Sequence, residues 1–320
     1  MTARILILIA AIVGFRNNFV SSARVSRLPD RMATRALISP MELVKVNPMA
    51  RLNKYKATSG DFLIRDFIRR IEKQKTYLKQ GKEQFVHFQL AHLYAGFALT
   101  QYGLGRDYSE VVASLRMAVE SFLTVFRLKG TTPDGRIRHL GKHQNAERPR
   151  EQDTFTPDYG YTNSKESLFG IAMALLSNRL DAAKEIAMLA GNPPHISLPN
   201  DRFLESAFKA FFVNDDPEIA RQLGLILVGD DRWYEHMRDG FRALVARSSA
   251  QYASAVEEMV VLHGQEAVMD FHKHDPLYNL CFHMMGLAVL AVLKQILPLK
   301  DIPDRPPYFP RDLIGYVLTQ

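Results

Sequence analysis

A chain of 320 residues, 47% hydrophobic and 23% charged, is globular material long enough for one large core or two smaller ones. Its single cysteine, Cys281, excludes an intrachain disulfide framework and a cysteine-rich zinc site. The net charge of +7 is unevenly divided: residues 1–150 carry 26 Lys and Arg against 11 Asp and Glu, and residues 151–320 carry 15 against 23. An acidic second half argues against a nucleic-acid binder, because it would repel the phosphate backbone.

The chain opens with Met1 to Arg4 and then ILILIAAIVGF. That run is too short to span a bilayer but has the length of the apolar region of a secretory signal, with Ser21 and Ala23 at permissible cleavage positions. Arg16, Asn17 and Asn18 make a long polar stretch before that site. The expectation is a cytoplasmic protein; the alternatives at this end are periplasmic export after removal of residues 1–23 and a start at Met32. Residues 24–60 are basic and broken by Pro29, Pro40, Pro48 and Gly60, so residues 1–60 read as an N-terminal extension with at most one short helix.

Helical periodicity begins at residue 61. In DFLIRDFIRRIEKQKTYL, Phe62, Ile64, Phe67, Ile68, Ile71 and Leu78 make one stripe. FVHFQLAHLYAGFALTQYG follows, with Ala95, Gly96 and Ala98 where a neighbouring helix can approach closely. Asp107 and Glu110 form a D-x-x-E start before EVVASLRMAVESFLTVFRL. Short connections make residues 61–128 three antiparallel helices. Residues 129–161, rich in Gly, Pro, Arg and His, form a long basic loop, either a linker or an arm that folds onto a partner.

Residues 162–320 read as a second helical domain. SLFGIAMALLSN with DAAKEIAMLAG, and FLESAFKAFFVN with PEIARQLGLILVG, make two helical hairpins; Asn178 and Asn214 fall at equivalent places. That spacing approaches a tetratricopeptide unit without its diagnostic Trp, Gly and Tyr positions. RWYEHMRDGFRALVAR and SAQYASAVEEMVVLHG follow. Residues 277–297, LYNLCFHMMGLAVLAVLKQIL, are apolar on every side of a helical wheel, which predicts a buried central helix rather than a membrane span. The tail PDRPPYFPRDLI should wrap over the end of the bundle on Tyr308, Phe309 and Leu313. The expected fold is all-α, an antiparallel bundle or solenoid-like stack of hairpins with no β-sheet.

The densest polar cluster is His263, Asp270, His272, His274, Asp275 and His283. His272 and His274, two residues apart, face differently on a helix, and no H-E-x-x-H spacing occurs, so no metal site is expected. His272 and His274 suit a helix C-terminus, and His283 a hydrogen-bonded core position. GLG at residues 103–105 lacks the rest of either nucleotide motif, and there is no G-x-S-x-G elbow. The reading is therefore a protein without catalytic residues or cofactor. Asp215, Asp216, Asp230 and Asp231 fall at helix starts, as caps that complement the helix dipole. Together with Glu235 and Asp239 they are expected on one edge of the stack. Trp233 and Tyr234 would serve there as aromatic anchors against a basic protein partner, the alternative being a packed Trp with a solvated acidic rim.

The order of these features, FGIAMALLSNRLDAAKEIAMLAG, then EEMVVLHG, GLAVLAVL and a closing YFPRDLI, resembles the bacterial immunity protein 49 family, with His263, Tyr308, Pro310 and Leu313 as the matching positions. DRWYEHM and YFPRDLI are also similar to the immunity proteins of PoNe-type DNase toxins. The chain departs from that second family where YNLCFHMM replaces an expected Gly-Tyr-Trp stretch. Either resemblance implies an all-helical antidote of a polymorphic toxin system, binding a cognate secreted toxin such as a basic nuclease. The competing expectation is a helical-repeat scaffold with no toxin partner. Direct nucleic-acid binding ranks last, since the basic segments lack interleaved aromatics.

Overall fold

A computed structural model of the chain describes residues 48–78, 83–129, 160–191, 197–229, 231–269, 272 and 274–320. The expectations for residues 1–47, for nearly all of the 129–161 loop, and for Asp230 and Asp270 lie outside those residues. Among the described residues there are eleven α-helices and no strand, and the single isolated bridge joins Arg305 to Phe309. The all-α expectation holds.

The helices are α1 Pro48–Leu78, α2 Glu83–Gly103, α3 Tyr108–Arg127, α4 Ser164–Leu175, α5 Leu180–Leu189, α6 Pro199–Val213, α7 Asp216–Gly224, α8 Arg232–Val245, α9 Ser249–Ala267, α10 Phe282–Leu293 and α11 Arg311–Leu318. No helix of the described residues is long and apolar enough to cross a membrane. One core runs from Ile71 to Val317 and draws on the helices both before and after residues 130–159.

Helix α1 begins earlier than its stripe suggests. Pro48 opens it, where a missing N–H costs no intrahelical bond. Gly60 does not break it but lies where a Cβ would come 3.3 Å from Leu104. The buried face is also rotated from the expected one: Leu63 and Ile71 are buried, whereas Phe62 and Ile68 are 61% and 48% exposed. Leu63, Phe67 and Ile71 follow one another at four-residue spacing and meet α2. The small residues of α2 serve as expected, because a Cβ on Gly96 would fall 2.9 Å from the Phe67 ring. Asp107 precedes α3 as its N-cap residue, but its side chain makes no capping bond. Glu110 instead accepts from Gln101 at 3.4 Å.

The hairpins α4–α5, α6–α7 and α8–α9 each turn on a residue in the left-handed region: Asn178 (φ 55°), Asn214 (φ 60°) and Arg247 (φ 53°). In each, the following residue closes a bond back to an alanine: Arg179 to Ala174 at 2.9 Å, Asp215 to Ala210 at 3.0 Å and Ser248 to Ala243 at 2.9 Å. Helix α10 ends the same way, with Gln295 at φ 56° and Ile296 donating to Ala291 at 2.9 Å. This six-to-one closure satisfies helix-end carbonyls that would otherwise be orphaned.

The apolar stretch 277–297 is buried as expected but is not one helix. A 3-10 turn, Pro276–Asn279, precedes an extended Leu280 (φ −140°, ψ 145°), and only then does α10 begin. Two polar groups hold that break. The Asn279 amide donates to the Leu99 carbonyl at 2.9 Å, and Cys281 N–H donates to the Tyr308 carbonyl at 2.8 Å. In the tail, Tyr308, Phe309 and Leu313 are all 0% exposed, as its composition suggests.

Helix α10 lies against α4 so closely that a Cβ on Gly286 would meet Ala172 Cα at 3.2 Å and its carbonyl oxygen at 3.3 Å. Gly286→Ala is therefore expected to cost about 1–3 kcal/mol, because backbone cannot move aside as a side chain can. Gly224→Ala, in open space on α7, should be neutral or stabilising by up to about 1 kcal/mol. Urea denaturation of both variants checks the contrast.

Candidate partner-binding surface

Helix α8 carries the aromatic pair singled out in the sequence. Its inward face is Tyr234, Met237, Phe241 and Leu244, at the three- and four-residue spacing of one helical stripe. Tyr234 is thus a core residue and not an exposed anchor. Its hydroxyl donates to Asp201 Oδ1 at 2.8 Å, and burial together with that carboxylate pushes its pKa up. Burial likewise pushes the Asp201 carboxyl above its usual range, against the Tyr234 bond, which pulls it down. Trp233 is half-buried, its ring edge-on to Tyr234 and to His283, both at 5.1 Å.

The acidic residues do cap helices. Asp231 accepts from Trp233 N–H at 3.1 Å, and Asp215 accepts from Glu218 N–H at 3.0 Å. They do not share one edge of the stack, however. Asn200 and Leu227 exchange two hydrogen bonds, at 2.9 and 3.0 Å, and Tyr234 reaches Asp201. Asp231 therefore sits at the N-terminal end of α6. Asp215 and Asp216 follow its C-terminal end, where Lys294 Nζ donates to Phe211 and Asn214. A helix of 15 residues separates the two sets by roughly 22 Å.

Nor is the acidic rim bare. Glu235 lies 3.9 Å from Arg232 and 4.0 Å from Arg238. Asp239 lies 3.1 Å from Arg238 and 3.7 Å from Arg242, and Arg232 also reaches Glu258 at 3.2 Å. The outer face of α8 is a row of alternating charges rather than an acidic patch.

What the sequence reading passed over is apolar. The α7–α8 loop exposes Leu225 (42%), Leu227 (73%) and Val228 (43%). The Asn200 clamp brings them to the same end of α6 as Leu198, itself 47% exposed. Asp231 adjoins the loop, and α8 and α9 pack as a hairpin turned at Arg247. The end of α9, with Val268 and Met269 exposed, therefore lies on the same side as the start of α8. Clustered exposed apolar residues beside charged ones are the ordinary make-up of a docking surface.

The histidine cluster is explained by packing. His263 hydrogen-bonds the Tyr278 carbonyl at 3.1 Å. His272 bonds the Glu266 carbonyl at 3.1 Å, at the end of α9 as expected, and pairs with the Tyr278 hydroxyl at 3.0 Å. No group of three His, Cys, Asp or Glu among the described residues is placed to hold a metal. His283 differs from expectation: ring contacts with Phe282 at 4.2 Å and Trp233 hold it in place of a core hydrogen bond. Burial, then the charges of Lys165 and His263, lower its pKa to about 3. The Cys281 thiol is buried and its pKa pushed up by desolvation.

No known protein family, no curated protein and no solved structure matches this chain.

The lowered His283 pKa has a definite sign. Its folded value lies below the ordinary 6.5, so the unfolded chain takes up a proton first. Its contribution to stability is complete above about pH 6.5 and is lost as pH falls toward about 3, at up to about 1.4 kcal/mol per pH unit. His283→Phe should flatten that dependence. Urea denaturation of both proteins at about pH 7 and about pH 4.5 reads the difference.

Proposed function

We propose that this chain is an immunity protein that binds a cognate secreted bacterial toxin and neutralises it by covering the toxin's active surface. The observation that carries the reading is the exposed apolar loop of Leu225, Leu227 and Val228, clamped to the start of α6 and flanked by Asp231. A surface of that kind exists to be covered. The family resemblance supplies the kind of partner. A nuclease toxin presents a basic substrate face, and Asp231 beside the loop complements it in charge. The loop is held by two hydrogen bonds to Asn200, so little ordering cost remains at association.

The hairpin stack α4–α9, with its repeated left-handed turns, also favours a second reading, a helical-repeat scaffold for other proteins. Co-expression with the product of the adjacent gene separates the two. On the immunity reading that product is toxic alone and harmless beside this chain. Leu227→Asp should abolish the rescue and weaken toxin binding by at least about tenfold, because it places a charge in the apolar centre of the contact. Asp215→Lys, at the far end of α6, should leave rescue intact. A neighbour that is not toxic, or equal rescue by Leu227→Asp, would refute the assignment.

A further inference from the structure

A cavity of about 310 Å³ opens between α6 and α7, against the start of α4 and the end of α5. Six of the residues that line it are polar: Ser164, Arg202, Glu205, Ser206, Arg221 and Gln222. Three of them are deeply buried, with Ser164 1%, Glu205 5% and Gln222 7% exposed. Among the described residues, Glu205 Oε2 is buried with no hydrogen-bond partner. A carboxylate oxygen withdrawn from water without a donor is costly, and one that lines a cavity points to a donor the fold does not itself supply.

The cations of the cavity differ in how far they are committed. Arg221 forks onto Glu218 with two bonds of 2.6 Å, and Gln222 donates to the same carboxylate at 2.7 Å. Nearby, Lys129 donates to the carbonyls of Leu189 and Gly191 at 2.7 and 3.2 Å. Arg202 is different. It precedes Glu205 by three residues on α6, the spacing of a helical ion pair, yet it acts on Glu205 only through space. An uncommitted guanidinium and a carboxylate that holds Ser164 but leaves Oε2 unmatched thus line the same cavity without joining each other. A bare anion would face Glu205, and a bare cation would meet the positive charge of Lys129, Lys209 and Arg202 that already reaches Glu205. Only a ligand carrying both charges answers both groups.

We propose that this cavity binds a small zwitterion of the amino-acid class, with its carboxylate on Arg202 and its ammonium on Glu205 and the Ser164 hydroxyl beside it. The volume stands at the lower end of ligand pockets, enough for a free amino acid and too little for a nucleotide. Phe203 and Leu225 complete the wall and favour a short, uncharged side chain.

The test uses the full chain and calorimetric titration with glycine, L-alanine and L-serine, set against acetate and ethylammonium as the two halves of the ligand. Saturable binding of an amino acid, with neither half binding at the same concentrations, supports the site. Glu205→Gln and Arg202→Gln should each weaken that binding by at least about tenfold, the loss of one charge-assisted hydrogen bond. Glu205→Gln also removes a carboxyl whose ionised form burial disfavours, so it should fold at least as stably, and a denaturation midpoint confirms that. Binding of acetate or of ethylammonium as tight as that of the amino acids overturns the proposal. So does the absence of saturable binding by any probe to the folded protein, or unchanged binding by both variants.

Discussion

The backbone-to-backbone approach of α4 and α10 at Ala172 and Gly286 is the constraint on which the remaining packing rests. Helix α10 is apolar on all sides, so every neighbour can use it as a wall. Its glycine meets α4, Met284 and Leu287 fill the notch at Gly240 of α8, and the Met284 carbonyl accepts from Tyr252 of α9 at 3.0 Å. The tail then closes the near end, with Tyr308 against Gly264 and its carbonyl on Cys281. Nine of the twelve residues of α10 are buried, which leaves little solvent side to absorb a misfit. Small residues at the crossings set how near each partner comes.

The fold was legible where the residue type and the physics point the same way. Asn178 and Asn214 could be equated because asparagine is the residue, after glycine, that most readily enters the left-handed region. Arg247 and Gln295 adopt the same conformation and close the same bond to an alanine, but neither residue advertises it. The break before α10 was illegible for another reason. Asn279 reads as a polar residue tolerated in an apolar helix until its acceptor, Leu99, is known, and that carbonyl lies 180 residues away in sequence. In α1, Phe62 and Ile68 belong to an apolar stripe of mixed phase that fits more than one face. Only the position of α2 chooses among them.

The candidate surface was legible in part. Capping by Asp215 and Asp231 follows from residue type and place. The inward turn of Tyr234 was also available, since Tyr234, Met237, Phe241 and Leu244 repeat at helical spacing. The pairing of Glu235 and Asp239 with Arg232, Arg238 and Arg242 lay in the sequence too, at intervals of one and three residues. Leu225, Leu227 and Val228 could not be placed, because apolar residues after a helix read as core until the backbone is seen to carry them outward. Asn200 decides that, through a pair of bonds between segments 27 residues apart.

These features bear on what the proposed interface can do. Each carboxylate on the outer face of α8 has an arginine within about 4 Å, so its field falls off within a few ångströms and contributes registry more than long-range attraction. The acidic balance of residues 151–320 is the local charge that a basic partner docking on that part of the chain would meet. Affinity then has to come from apolar area at the clamped loop. The two terms therefore act on different rates: salt slows the encounter with the acidic half, while the departure of a bound partner is governed by how well Leu227 and its neighbours are covered. For the proposed immunity function that division matters, because protection would depend on reaching a toxin quickly and on holding it after the encounter.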